Sequence, residues 1–178
     1  SIAEFDAALV WLDACPQLQT GPVALVTNAG FESVNGSDLF GSGLPAAHLD
    51  DTAQQTLRTL LQRHELSGLV AARLPLDLTP MAGPSDFIAT SALMLDSAAV
   101  LVVGLVPFTR QLDTSRDGAA KLVRFLSALR DVHRKPVAVV VDAGADYAEF
   151  RQVFQEAGLP VFSQMEAALR GLRVLGGS

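Results

Sequence analysis

Four short segments carry groups whose types and spacing suit chemistry: Asn28-Ala29-Gly30, Leu76-Asp77-Leu78-Thr79, Pro107-Phe108-Thr109-Arg110 and Asp142-Ala143-Gly144. The first follows an apolar, β-branched run and opens onto a helical pattern. Free backbone amides and the helix dipole there favour an anionic group. The competing reading is a plain tight turn in which Gly30 supplies permissive dihedrals. Asp77 is a carboxylate in an apolar stretch bracketed by Pro75 and Pro80. It either closes an Asx turn on its own backbone or faces a ligand. Arg110, just past a second apolar run, carries the planar guanidinium that meets a phosphate or carboxylate, unless solvent alone accounts for it.

Other chemistries are disfavoured. Gly-x-Ser-x-Gly is absent, and Ser33 and Ser37 lie too close to a helix start to form a nucleophile elbow. Gly30-Phe31-Glu32-Ser33 has neither the Lys-Ser/Thr pair nor the repeated glycines of phosphate cradles. His48, His64 and His133 fall in three separate segments, which argues against a metal site. His133 beside Arg134 and Lys135 reads as a cation at a helix C-terminus, and His64 likewise. The single cysteine, Cys15, has no pairing or zinc spacing and reads as an inert, half-buried thiol in a reducing compartment. Thirteen basic against 19 acidic side chains give a charge of −6, and the cations are scattered singly, so no nucleic-acid partner is expected. The longest apolar run, 98–106, is about half a membrane span, and Ser1-Ile2-Ala3-Glu4 lacks a basic leader flank. No membrane partner and a cytoplasmic location are the expectation. The missing initiator Met and Gly176-Gly177-Ser178 suggest a piece of something larger.

A chain of 178 residues buries roughly 70% of its unfolded surface, enough for one core without disulfides. A leader helix is expected over 2–14, with Phe5, Leu9 and Leu12 on its packing side, then a buried strand over 22–28. A short helix with Val34, Leu39 and Phe40 follows, ending at Gly41 or Gly43. A second strand is read over 44–49, then a helix capped by Asp50 or Asp51, carrying Leu57, Leu60 and Leu61 and fading at Arg63-His64. The prolines of 65–83 forbid a helix interior, so that stretch reads as an extended loop. Beyond it come a helix from Pro84, strand 98–106, helix 117–134, strand 136–141, helix 147–157, strand 159–162 and helix 164–175. Strands alternating with helices imply an α/β fold. It is a three-layer, doubly wound sheet of five parallel strands in the flavodoxin-like order 2-1-3-4-5. Ligands in such sheets approach the carboxyl ends of the strands, where all four segments fall. Residues 1–16 read as a leader helix and linker from a preceding domain, and 17–178 as the domain itself.

Three stretches taken together are more specific: Pro22-Val23-Ala24-Leu25-Val26-Thr27-Asn28-Ala29-Gly30, the helix 49–60 opening Leu-Asp-Asp-Thr, and Pro75-Leu76-Asp77-Leu78-Thr79-Pro80. In this order they resemble the flavodoxin-like domain of the NDP-forming acyl-CoA synthetases, the superfamily of ADP-forming acetate-CoA ligase and succinyl-CoA synthetase. The resemblance implies interconversion of acyl-CoA, NDP and phosphate with acid, CoA and NTP through a phosphorylated histidine. In the family that histidine belongs to another, CoA-binding domain and is held between two helix N-termini. The partners implied are that domain and an ATP-grasp domain, in the same chain or another. CoA, NTP and Mg are expected for the full enzyme, none bound by this domain alone, and turnover is not expected of it in isolation. Asn28, Ala29 and Gly30, with the amides of Phe31, Glu32 and Ser33, would be its share of the phosphohistidine and acyl site, with Asp77, Thr79 and Arg110 beside them. The family commonly continues Asn-Ala-Gly with Gly-Pro-Gly, whereas Phe31-Glu32-Ser33 stand here. A carboxylate on the first helical turn meets the dipole and repels a phosphoryl group, while Phe31 narrows the approach. The usual Asn before the Asp77 loop is replaced by Leu74. The alternative is a diverged, non-catalytic structural or regulatory module of the same fold. A flavin-binding flavodoxin is weaker still, since the first loop lacks the Ser/Thr-rich cradle.

Overall fold

A computed structural model describes residues 1–41, 44–107 and 109–176. Gly43, Phe108, Gly177 and Ser178 of the expectations above lie outside the described residues. Five parallel strands form one sheet in the order β2-β1-β3-β4-β5: β1 (Val23–Thr27), β2 (Leu76–Asp77), β3 (Val100–Gly104), β4 (Val137–Val140) and β5 (Val161–Phe162). Every residue of β1, β3 and β4 is buried, as their unbroken Val-, Ala- and Leu-rich runs require of strands covered on both faces.

Strand alternation divides the core in two. Ala24, Val26, Leu101, Val103, Val137 and Val139 face a layer supplied by α3 (Asp51–Arg63), α4 (Pro84–Ser97), α5 (Arg116–His133) and α6 (Ala148–Glu156). Val23, Leu25, Val100, Val102, Ala138 and Val140 face α1 (Ile2–Ala14), α2 (Gly30–Gly41) and α7 (Met165–Gly176). Local signals set the helix starts: Asp50 accepts from the Ala53 amide at 2.7 Å, and Ser115 from the Gly118 amide at 3.1 Å. Among the described residues no helix is long and apolar enough to cross a membrane.

Four expectations are corrected. The segment 44–49 is not a strand: it makes one isolated bridge, Ala46 to Val23, through Val23 N to Pro45 O and Ala47 N to Val23 O, both 2.8 Å. Pro45 has no amide to extend that ladder, and the Asp50 cap turns the chain into α3. The second strand lies instead inside the expected loop, where Leu76 pairs with Val26 and Asp77 with Thr27. A two-residue edge strand tolerates the flanking prolines. The helix α1, in turn, packs through Ala7, Ala8 and Trp11, leaving Phe5, Leu9 and Leu12 exposed. Small residues decide the face: a Cβ on Gly171 of α7 would lie 2.9 Å from the Ala7 carbonyl carbon, so the two backbones sit closer than bulky side chains allow. Finally, the histidines at helix ends have specific partners beyond the dipole. His64 Nδ1 lies 2.5 Å from the Asp86 carboxylate, and His133 Nδ1 3.6 Å from that of Asp96.

Candidate functional site

The carboxyl ends of β1, β2, β3 and β4 meet at one edge, and the register places Thr27, Gly104 and Val140 side by side across it. Asn28 is buried and spent on structure: its Nδ2 donates to Val106 O at 3.0 Å and its Oδ1 accepts from Val106 N at 2.8 Å. That pair splices the loop leaving β1 to the chain leaving β3. Ala29, also buried, donates its amide to Thr27 Oγ1 at 3.2 Å. Gly30 opens α2 at the surface. The amides of Glu32 and Ser33 both turn back to Ala29 O, at 3.1 and 3.3 Å. This leaves those of Gly30 and Phe31 without a bond among the described residues. The Phe31 side chain is half exposed beside them.

Glu32 departs from expectation. It does not point at the approach to the turn; its side chain is fully buried beneath it. One carboxyl oxygen accepts from Thr27 Oγ1, in a chain that runs from the Ala29 amide through the threonine hydroxyl. The other has no partner among the described residues. Burial pushes the carboxyl up to about 7, against the Thr27 bond and with help from the negative charges of Asp142 and Asp77. Gly104 makes the room: a Cβ there would overlap the Glu32 carboxylate and lie 2.7 Å from Thr27 Oγ1 and 2.9 Å from Met165 Cε. Gly104→Ala is therefore expected to cost about 2 kcal/mol by overpacking. Combined with Glu32→Ala, the loss should be smaller than the sum of the two single losses in a double-mutant cycle of urea unfolding.

Asp77 takes the Asx-turn geometry, accepting from the Thr79 amide at 2.9 Å, and Thr79 sits at φ 63° behind it. The other Asp77 oxygen lies 3.2 Å from where a Gly30 Cβ would stand. A carboxylate thus sits at the N-terminus of α2, where the dipole favours it. Asp142 is half-buried at the end of β4, and Arg151 braces the next turn by donating to Ala143 O at 2.8 Å and Gly144 O at 3.2 Å. Arg110 is exposed in the loop after β3, and among the described residues no bond joins it to this group. The structure thus gathers 28–33 and Asp77 at one place, with no bond tying Arg110 to them among the described residues. Thr27 and Gly104 were missed as members of this group. Their signal was positional: each is the last residue of a buried strand on the same face of the sheet.

Neither a family model nor a curated protein matches the chain. Solved structures do. The crystal structure of PH0766 from Pyrococcus horikoshii OT3 superposes with a TM-score of 0.81 at 22% identity, over 98% of this chain and 39% of that one. The apo dinucleotide forming acetyl-coenzyme A synthetase 1 of Ca. Korarchaeum cryptofilum gives 0.76 at 19% identity, over 99% of this chain and 37% of that one. The form of that synthetase in complex with phosphate and ADP gives 0.72 at 19% identity, over 96% and 36%. The shared property is the fold. This chain spans under two fifths of each of those chains, matching a domain-sized part of them.

Proposed function

We propose that this chain serves as the flavodoxin-like domain of an NDP-forming acyl-CoA synthetase. Its part is to present the first turn of α2 to a phosphoryl group carried on a histidine of another domain. The observation that supports this most directly is the pair of amides, Gly30 and Phe31, left without a bond among the described residues at the positive end of α2 on the carboxyl edge of β1. Aligned amides and the dipole stabilise a phosphoryl dianion without reorganisation. The sharing of fold with a synthetase solved with phosphate and ADP points the same way. CoA, nucleotide and Mg belong to the other domains on this reading. Among the described residues no group of three His, Cys, Asp or Glu side chains is placed to hold a metal ion.

A second reading, a structural or regulatory module, is favoured by one observation: the Asp77 carboxylate already stands beside the α2 terminus. The two part company in the parent protein incubated with acetyl-CoA and labelled phosphate, then with ADP or GDP. Label held on histidine and chased to the nucleotide is the result expected of the synthetase. Absence of label in wild type together with its appearance in Asp77→Asn, which keeps the Asx turn and removes the charge beside the α2 terminus, would make the module the better reading.

A further inference from the structure

Among the described residues two carboxylates are buried, Glu32 and Asp86, and they are treated oppositely. Asp86 has a partner on each oxygen, His64 on one and the Gly83 amide at 2.7 Å on the other. Glu32 has the Thr27 hydroxyl on one oxygen and, among the described residues, no partner on the other. Among the described residues no cation is paired with it. Thr27 of β1 bonds it, a Cβ on Gly104 of β3 would overlap it and lie 2.9 Å from Met165 Cε of α7, and Glu166, next along α7, is engaged by Arg170 at 2.6 Å. The charges that reach it from the ends of β2 and β4 are Asp77 and Asp142, both negative. Arg151, on the turn after β4, is bonded to the backbone carbonyls of Ala143 and Gly144. A site of this kind holds a carboxyl group in its neutral form and resists its ionisation.

We propose that Glu32 is a positioning residue for the first turn of α2: neutral, it seats that turn on Thr27 and over Gly104, and its ionisation unseats the Gly30 and Phe31 amides. The anion-holding role of those amides rests on the function proposed above; the coupling of the turn to the Glu32 proton does not. The two act in one direction. As pH rises the carboxyl gives up its proton, a negative charge appears one turn beneath the amides, and the site becomes a poorer host for a phosphoryl group. A pH window for phosphoryl acceptance would thus be built into the fold, set by a residue that never touches the phosphoryl group.

The test is an amide-resolved nuclear magnetic resonance titration of the 178-residue chain between about pH 5 and about pH 9. In wild type the Ala29, Gly30 and Phe31 amides are expected to move together with a midpoint of about 7. Thr27→Val removes the bond that favours the charged form, so the midpoint should rise by roughly half a pH unit or more. Asp142→Asn removes a repelling charge, so it should fall. Glu32→Gln should abolish the transition. The proposal is overturned if the three amides stay still in wild type, if the midpoint ignores both Thr27→Val and Asp142→Asn, or if Glu32→Gln still titrates. The two midpoint variants keep Glu32 in place, so the outcome does not hang on the folding of Glu32→Gln. A parent protein that never takes up phosphate, with this titration intact, would sink the synthetase reading and leave this one standing.

Discussion

Glu32→Gln is expected to make the folded chain more stable than wild type at pH 8 by about 3 kcal/mol, and to leave it nearly unchanged near pH 4. The magnitude follows from the carboxyl's rise from its ordinary 4.5 to about 7 in the fold. A group that binds its proton more tightly when folded makes its stability contribution in full below the unfolded value. That contribution declines as pH rises from there and is gone above the folded value. Wild type should therefore lose stability between about pH 4.5 and about pH 7 and then level off, while the glutamine variant stays flat across that interval. Urea unfolding followed by circular dichroism at several pH values reads this directly, with the slope against urea unchanged between the two proteins. Parallel curves would mean that Glu32 is charged and compensated in the fold. Against a usual total of roughly 5–15 kcal/mol, the effect is too large to miss.

That acid also marks where sequence reasoning stopped. The strands β1, β3 and β4 are legible because a run such as Val100-Leu101-Val102-Val103 has few other places to go than a sheet covered on both faces. The start of α3 is legible because Asp50 carries its own cap, whereas the Ser115 cap that begins α5 at Arg116 was not read from the sequence. The turn at Asn28-Ala29-Gly30 is legible as a strand-to-helix junction, and Asp77 as an Asx turn. The burial of Glu32 was not, because it depends on Thr27, Gly104 and Met165, and the latter two lie over seventy residues away along the chain. Only the strand register brings them together. A glutamate on a first helical turn is ordinarily at the surface, and only the missing side chain at position 104 makes another place for it. The strand β2 escaped for a different reason: two residues between prolines carry no periodicity at all.

Trp11→Ala is expected to destabilise the chain by about 4 kcal/mol, lowering the melting temperature by roughly 10 °C. Trp11 is fully buried, its ring centroid 5.4 Å from that of Phe162, and its indole Nε1 donates to Ala168 O at 2.9 Å. Truncation leaves a cavity between α1, α7 and the end of β5, and removes the donor from that carbonyl. The outward side of the same helix is the internal control. Phe5, with 60% of its surface in solvent, should tolerate serine within about 0.5 kcal/mol. The comparison bears on how residues 1–16 belong to the domain. A leader that merely rested on 17–178 would detach in Trp11→Ala and leave the main transition where it was. The contacts argue otherwise: Glu4 reaches Arg170 at 3.2 Å and Arg173 at 3.1 Å, and the Ala7 backbone lies against Gly171. Calorimetry of the 178-residue chain should therefore show one transition displaced as a whole, in which case a boundary drawn at residue 17 divides a single cooperative unit.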